Sequence, residues 1–545
     1  MLKAFKLIWK CDSKRFLLKL VYTLFNSLLP LVNLYVLKVL VDVLSGTVSG
    51  GVEWSAVSET IVSSVLLFCG ISLANRMIGV LGVVNDDVLT QELVDYINKL
   101  IQEQSVRLDM AYYDNPNYHD TFHRAQQEAA FRPVRIMESL VSLFGSVVSL
   151  LGVTAMLVAA SWQVIVVMVL AIVPTFCVRL YKSRSIYRFR RETTQESRRG
   201  SYYGSLMTNR IYAKEVRTLG LAGFFRKMYV DTRFRLVTQL KRISRRLAVM
   251  DGITAVIEAA AMGVVVLVLV RPVANGALTI GTFVMLFEAF RRGQGYLTSM
   301  VSSVSGLYEH KLFINNLFDF LDLRPSIVSP SEPEPFPAKV EEVVFDNITF
   351  AYPDMNQPVL SRFSLVARYG EVTLIEGENG FGKTTLLKLL MRLYDPQEGC
   401  VRINGTDVRR FDLSELRRNV SVMFQDYVQF YFTARENVEF GDIGGETDSM
   451  RMSESLRQSG ADNVVSRLAK GLDTQLGRQF EGGEELSMGQ WQRIALAREL
   501  YSRSQVLAFD EPTAWMDASG REAFRKTLEE LKPNHVVILV RHSEL

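Results

Sequence analysis

Six long apolar runs fill the chain before about residue 320, and they leave few architectures open to it. They are Phe16–Leu44, Ala56–Val84, Met137–Ala160, Gln163–Leu180, Leu247–Val270 and a stretch from about Leu278 toward Leu307. Each reaches or approaches the ~20 residues a helix needs to cross ~30 Å of hydrocarbon. The first is too long for the apolar core of a signal peptide. Lys3, Lys6, Lys10, Lys14, Arg15 and Lys19 precede or open it, which keeps the N-terminus in the cytoplasm by the positive-inside rule.

The links between the runs alternate in length. Runs three and four are joined by a short turn at Ser161-Trp162, and five and six by RPVANGALTIG. Two long polar links remain, between runs two and three and between runs four and five. Both are basic. Lys182, Arg184, Arg188, Arg190, Arg191, Arg198 and Arg199 follow the fourth run, which places the long links inside and the short ones outside. Apolar positions in these links recur at helical spacing, as in LVDYINKLIQ, so the spanning helices are expected to continue into the cytoplasm.

Composition excludes several classes. Hydrophobic residues make up 48%, an excess confined to the first half. Lys+Arg is 62 against 58 Asp+Glu, and a net charge of +4 argues against a nucleic-acid partner held by bulk charge. The four cysteines lie far apart in sequence, and the five histidines form no metal spacing with them.

The pattern changes after Leu323. Arg324–Val340 holds five of the 15 prolines and reads as a linker of turns and extended backbone. Beyond it, VEEVVFDNITFAY, EVTLIEG, VLAFDE and HVVILV read as strands and KTTLLKLLMRLY as a helix. This is α/β patterning around a largely parallel sheet.

The chemistry lies in this second half. Gly377, Glu378, Asn379, Gly380, Phe381, Gly382, Lys383 and Thr384 form a GxxxxGKT phosphate loop between a strand and a helix. Its glycines let backbone N–H groups wrap phosphates, and the helix N-terminus adds partial positive charge. Lys383 can reach the β- and γ-phosphates, and the Thr384 hydroxyl can hold Mg²⁺. A second buried strand ends in Asp510-Glu511. Asp510 is placed to hold Mg²⁺, and Glu511 is a candidate general base for the attacking water.

With these motifs in place, residues 340–545 resemble an ATP-binding cassette. Leu486-Ser487-Met488-Gly489-Gln490 is similar to the LSGGQ signature, and Trp491-Gln492-Arg493 follows it. Gln425 in VMFQD resembles the Q-loop glutamine, and Tyr352 in FAYP the aromatic that stacks on adenine. Ala514-Trp515-Met516-Asp517 resembles the D-loop, and His542 the switch histidine. The resemblance implies catalytic roles for Glu511, His542 and Gln425. It implies nucleotide contacts from Tyr352, from Gly377 through Thr384 with Thr385, and from Ser487, Gly489 and Gln490. Thr384, Gln425 and Asp510 are the implied Mg²⁺ ligands, with ATP the nucleotide. The sequence departs from the family at Met488, which replaces the first glycine of the signature pair, at the bulky Trp515-Met516, and at Arg541 in place of a small hydroxyl residue. It ends three residues after His542, where the family usually continues with another helix or two.

Six spans ahead of one cassette resemble the type I (type IV) exporter half-transporter. The implied fold is an all-α transmembrane domain of six long helices plus an α/β P-loop ATPase domain of the ABC type. The expected boundaries are residues 1–323 for the membrane domain, 324–339 for the linker and 340–545 for the nucleotide-binding domain. Residues 1–14 resemble an interfacial elbow helix. Asp109–Tyr118 and Ile211–Leu221 match the family's coupling segments, local packing being the alternative.

In the family, one subunit's signature caps the nucleotide held by the other. The partner is then a second copy or a paralogous half-transporter, in the lipid bilayer of a prokaryotic plasma membrane. The implied activity is ATP-driven export of a peptide, lipid or small amphipathic molecule. A lipid or glycolipid flippase is one alternative, and a membrane-tethered ATPase that regulates a partner without transport is another. Glu258, Glu288, Arg291 and Arg292 fall within spans, where ionisable groups are costly. A Glu288–Arg292 ion pair and contact with cargo are the two readings.

Overall fold

The computed structural model describes residues 2–48, 54–114, 131–160, 162–353, 355, 357–378, 380–445 and 447–542. They form two compact units. One contains residues 2–105 and 131–322; the other contains 106–114 and 323–542.

The first unit is helical. Its elements are α1 (Leu2–Cys11), α2 (Ser13–Val48) and α3 (Trp54–Arg107), which ends just inside the second unit and is followed there by α4 (Met110–Asp114). Then come α5 (Arg132–Ala160), α6 (Trp162–Glu192), α7 (Thr194–Thr208), α8 (Arg210–Thr218), α9 (Ala222–Ala274) and α10 (Ile280–Leu321). The expected elbow is α1, which buries Ala4, Leu7 and Ile8. Asp12 separates it from α2 by accepting bonds from Lys14 N (2.9 Å) and Arg15 N (3.0 Å), so it caps the new helix.

Helix α3 has 54 residues and α9 has 53. At ~1.5 Å per residue each is about 80 Å long, more than twice the hydrocarbon thickness. Among the described residues, much of both long links is thus a helical continuation of the spans, as their periodicity predicts. Among the described residues, five helices (α2, α3, α5, α6 and α9) are long and apolar enough to cross a membrane. The sixth expected span forms the 42-residue helix α10, but Glu288, Arg291 and Arg292 interrupt its apolar stretch. Its burial compensates: Leu286, Ala289 and Phe290 are fully enclosed by Leu31 and Leu34 of α2, Val153 and Leu157 of α5, Val164 and Met168 of α6, and Val265 of α9. A helix so enclosed needs less apolar surface of its own than one facing lipid.

The second unit carries two sheets. β1 (Glu342–Phe350), β2 (Leu360–Arg368), β4 (Glu398–Ile403) and β5 (Thr406–Asp407) form an antiparallel sheet in the order β2-β1-β4-β5. β3 (Val372–Gly377), β6 (Val420–Met423), β7 (Val506–Asp510) and β8 (Val536–His542) form a parallel sheet in the order β3-β8-β7-β6. The sequence reading anticipated the parallel sheet and the β1 strand, but not a separate antiparallel sheet. Its alternating burial, inward at Val343, Phe345, Ile348 and Phe350, marks a sheet packed on one face. β7 is buried at all five positions, as a central parallel strand requires.

The proline-rich stretch belongs to this unit. Glu334 bridges to Phe411, Phe336 packs on the Phe411 ring at 5.1 Å, and Ser329 donates to Asp412 (2.8 Å). Residues 106–114 join it too. Buried Asp109 accepts from Ser326 N and Ser326 Oγ (both 2.6 Å) and from Ile327 N (3.2 Å), while Tyr394 donates its hydroxyl proton to Asp114. The first expected coupling segment is therefore described as far as Asp114, and residues 115–118 of it lie outside the described residues. The second forms α8, whose N-cap Asn209 accepts from Ile211 N at 3.1 Å.

Candidate functional site

β3 leads into the phosphate loop, and α11 (Lys383–Leu390) leaves it. The helix ends at Leu390, earlier than the apolar run suggests. Gly382 precedes it at φ +82°, and a Cβ there would stand 2.7 Å from Leu360 Cδ2. Both the backbone and the space require glycine. Lys383 is buried, with its ammonium on the carbonyls of Gly377 and Glu378. Asn379 lies outside the described residues.

Thr384 Oγ1 donates to Asp510 Oδ2 at 2.5 Å, so the first turn of α11 meets the end of β7. Burial pushes the Asp510 carboxyl above its ordinary value, and the Thr384 bond offsets only part of this. The next residue, Glu511, stands at φ +50°, a conformation that costs a side-chain-bearing residue roughly 1–2 kcal/mol. Its N–H still donates to Val540 O (3.0 Å), so the sheet holds the turn in place. Gln425 Nε2 donates to Glu511 Oε2 at 2.7 Å. Four residues called from sequence, Thr384, Gln425, Asp510 and Glu511, thus make two direct contacts at neighbouring positions.

The signature opens α16 (Met488–Tyr501), the helix that follows α12 (Leu413–Asn419), α13 (Ala434–Glu439), α14 (Ser449–Ser459) and α15 (Asp462–Val465). Ser487 is its N-cap in a reciprocal capping box: Ser487 Oγ accepts from Gln490 N (3.3 Å), and Gln490 Oε1 accepts from Ser487 N (2.8 Å). The two positions of the altered glycine pair differ in space. A Cβ on Gly489 would stand 2.8 Å from Trp515 O, whereas the Met488 side chain is half-exposed with its sulfur 3.4 Å from Gln429 Nε2. The departure from the family thus falls where a side chain has room. The bulky Trp515 is itself 59% exposed and contributes its carbonyl to this crowding, not its ring. Asp517 caps α17 (Ala518–Leu531) by accepting from Gly520 N at 3.0 Å.

Tyr352 shares its hydroxyl with Thr385 Oγ1 (3.0 Å) and packs edge-on against Phe350 and Tyr394, with Lys388 Nζ 5.3 Å from its ring centre. The ring is thus braced by its edges beside the phosphate-loop helix. Where β3 enters the phosphate loop, Gly377 and His542 pair in the β3–β8 register. The His542 side chain lies outside the described residues. Arg541 Nε donates to Glu376 Oε1 at 2.6 Å across the same strands, which accounts for a long basic residue at a position expected to be small.

Sequence reasoning missed two residues. Buried Gln492 accepts from Trp515 N (3.2 Å) and directs Nε2 at Glu511 O (3.5 Å), tying α16 to the β7 turn. Tyr427 donates its hydroxyl to Met488 O at 2.9 Å and so joins the segment after Gln425 to the signature. A polar residue on the inward face of α16 was the available signal for Gln492; Tyr427 had none.

In the helical unit, Glu288 pairs first with Arg291, through Nη2 (2.8 Å) and Nε (3.1 Å), and Arg292 is 3.9 Å away. Arg292 instead donates to Pro30 O at 3.1 Å. The expected i,i+4 pair is therefore secondary to an i,i+3 pair. Glu258 accepts from Thr175 Oγ1 (2.8 Å).

Comparison with known proteins agrees with this architecture. A family model described as "ABC transporter" matches residues 360–514. Aligned over 544 residues, the chain is 26% identical to the subtilin transport ATP-binding protein SpaT of Bacillus subtilis, covering 99% of this chain and 87% of that one. It is 24% identical over 542 residues to the nisin transport ATP-binding protein NisT of Lactococcus lactis subsp. lactis, covering 99% and 88%. An ATP-dependent lipid A-core flippase of Desulfotalea psychrophila is 27% identical over 444 residues, covering 80% and 75%. In fold, the chain is similar to a bacterial Atm1-family ABC exporter with ATP bound, with TM-score 0.78, 19% identity, and 98% and 91% of the two chains covered. A second family model, "ABC transporter transmembrane region", matches residues 16–292, more than half of the chain. This protein, a multi-pass membrane protein with a C-terminal ATPase domain, belongs to the ABC transporter family.

Proposed function

We propose that the chain is one subunit of a dimeric exporter that uses ATP to move a peptide or small amphipathic molecule outward across the plasma membrane. One observation carries this reading: 99% of the chain aligns with transport proteins for two peptides, subtilin and nisin, and both exporter halves are present in order. The partner is a second copy, because Glu511 and a signature with room for phosphate approach are both present in this chain. The lipid-flippase reading stands second, favoured by the lipid A-core flippase relatives. Boundaries at residues 323 and 340 remain our division of the chain into membrane domain, linker and cassette.

In this reading the loop from Gly377 to Thr385, Asn379 included, wraps the nucleotide's phosphates, and Lys383 turns its ammonium toward them. Tyr352 supports the base, and Ser487, Gly489 and Gln490 meet the nucleotide held by the partner. Glu511 takes the proton of the attacking water, Gln425 orients Glu511, and His542 senses the terminal phosphate. The Gln425–Glu511 bond supports the first pairing, and the Ser487–Gln490 capping box, which aims the N-terminus of α16, supports the signature role.

The donor set fits Mg²⁺. Thr384, Asp510 and Gln425 offer hard oxygens, and a site with one carboxylate suits an ion that keeps waters and takes its other ligands from phosphate. When bound, it would neutralise charge on the phosphates. Asp510, destabilised as an anion by burial, is the group that gains most from a cation beside it.

The test is reconstitution of the full chain in vesicles. ATP-dependent uptake of a cationic amphipathic peptide into inside-out vesicles is the expected result. Movement of a labelled phospholipid without peptide uptake would select the flippase reading. ATP hydrolysis with neither would overturn export.

A further inference from the structure

Beyond the ATP site, the helical unit holds a cleft of about 370 Å³ between the cytoplasmic extension of α6 and α10. Arg184, Arg188 and Arg191 line it from one face of α6, with Tyr187 between them, and Tyr308 and Glu309 close it from α10. The spacing of i, i+4 and i+7 puts the three guanidiniums in one row, where like charges repel. No carboxylate pairs with any of the three among the described residues. The lone acid of the cleft, Glu309, is already taken: Arg190 stands 3.1 Å from it and the buried Arg132 3.7 Å. The lining is thus cationic without an internal counterion, and its arginines present forked donors that match phosphate oxygens.

Depth narrows the source of the anion. The apolar run of α6 ends at Leu180. Arg184 follows it by about 6 Å and Arg191 by about 16 Å at helical rise. The headgroup zone occupies roughly the first 5–8 Å beyond the hydrocarbon. The row therefore begins among headgroups and runs into the cytoplasm, and tyrosines are side chains that suit this boundary. We infer that the cleft binds a phosphate-bearing anion, and that its occupant is the headgroup of an acidic phospholipid of the cytoplasmic leaflet. Such a lipid would join α6 to α10 through its phosphate. This inference needs only that α6 spans the bilayer, and so it stands or falls apart from the identity of the cargo.

The experiment uses the full chain in nanodiscs of phosphatidylcholine with or without phosphatidylglycerol. Lipid retained after transfer to detergent is read by native mass spectrometry. Wild type should retain phosphatidylglycerol, and the triple change Arg184→Gln, Arg188→Gln, Arg191→Gln should lower retention about tenfold or more. Lys241→Gln, Arg242→Gln, Arg245→Gln removes the same charge from α9 just before its apolar run, and should leave retention within about twofold. Basal ATPase and thermal midpoint in phosphatidylcholine alone should match wild type for both triples. If the first triple fails to fold, Arg188→Gln alone carries the test, with a smaller loss in the same direction. Equal retention by wild type and the cleft variant, or equal loss in the α9 variant, would overturn the site. If inorganic phosphate stabilises wild type as much as phosphatidylglycerol does, and the cleft variant loses both effects, the occupant is a soluble phosphate and the lipid assignment is wrong.

Discussion

The two units of this chain differ in what their side chains answer to. In the cassette, the residues near the ATP motifs are held by specific partners: Thr384 by Asp510, Glu511 by Gln425, Trp515 N by Gln492 and Met488 O by Tyr427. In the helical unit, apolar side chains face outward, as at Leu66, Leu81, Val84 and Leu267, and only 6% of the most apolar window of α3 is buried. Water selects the cassette's surface, so burial there marks packing or chemistry. Lipid selects the outer face of the helices, so apolarity there marks only a span. A substitution at a motif of the cassette should therefore act on turnover, whereas one in the spans should act through stability or cargo.

The sharpest break comes from Glu511 and Lys383. Glu511→Gln keeps the Gln425 contact in reach but cannot accept a proton, so ATP binding should persist while turnover falls by roughly 10²–10⁴. Lys383→Ala should instead weaken binding itself. Titration with a fluorescent ATP analogue and single-turnover hydrolysis separate the two. Near wild-type hydrolysis by Glu511→Gln would mean that the base lies elsewhere.

The signature offers a second contrast within one dipeptide. Gly489→Ala places a methyl 2.8 Å from Trp515 O, so either the D-loop or the start of α16 must move. Turnover should drop about tenfold, the scale that a misplacement near 1 Å reaches or exceeds. Met488→Gly removes a half-exposed side chain, and turnover should stay level or rise by about twofold. Steady-state ATPase of both variants decides it; a large fall for Met488→Gly would show that the Gln429 contact with its sulfur positions the signature.

How far the sequence was legible follows the same division. The phosphate loop, Asp510, Glu511 and the signature could be read because each needs particular residue types at fixed spacing. Two of the partners that position them could not. Gln492 is one polar residue on a helix, and Tyr427 one aromatic in a loop, and neither type nor spacing announces a contact made in space. The six runs gave the spans at once. They did not reveal that Arg292 would bond Pro30 O and leave Arg291 as the main partner of Glu288, because both arginines lie within a turn of the acid and packing against α2 chooses between them. The antiparallel sheet was missed for another reason: only β1 was read as a strand, and β2, β4 and β5 carry too few apolar residues in alternation.

Asp510 supplies an effect of intermediate size, on stability. Its folded-state pKa is raised by burial, so at neutral pH the ionised form destabilises the nucleotide-free fold. The penalty is present above the raised value and is relieved as pH falls toward the ordinary carboxylate range. Asp510→Asn keeps an acceptor for Thr384 without the charge. It should raise the nucleotide-free melting midpoint at pH 7.5 by about 2–4 °C, if the site carries about 1 kcal/mol. The gain should shrink as pH is lowered, and hydrolysis should be lost. Differential scanning calorimetry across that pH range checks the sign; a lower midpoint for Asp510→Asn would mean that the carboxylate is stabilised by a group not considered.

The smallest expected effects belong to α10, and they test whether a charge in a span is structural or serves the cargo. Arg291 is 56% exposed at its side chain and, among the described residues, is held by Glu288 alone, whereas Arg292 spends a donor on a carbonyl of α2. Loss of Arg292 removes a charge-assisted bond to Pro30 O, a carbonyl inside helix α2, from an apolar setting, so Arg292→Ala should cost about 1–3 kcal/mol. Arg291→Ala frees Glu288 to close on Arg292 and should cost less, about 0.2–1 kcal/mol. Detergent melting of the two single variants and of Glu288→Gln with Arg291→Ala measures the order. If Arg291 serves cargo, its loss should also remove cargo-stimulated ATPase while basal turnover stays, which a purely structural pair would not do. Equal melting and equal stimulation in all the variants would sink both roles for α10 and shift attention to Glu258, which Thr175 holds in place between α6 and α9.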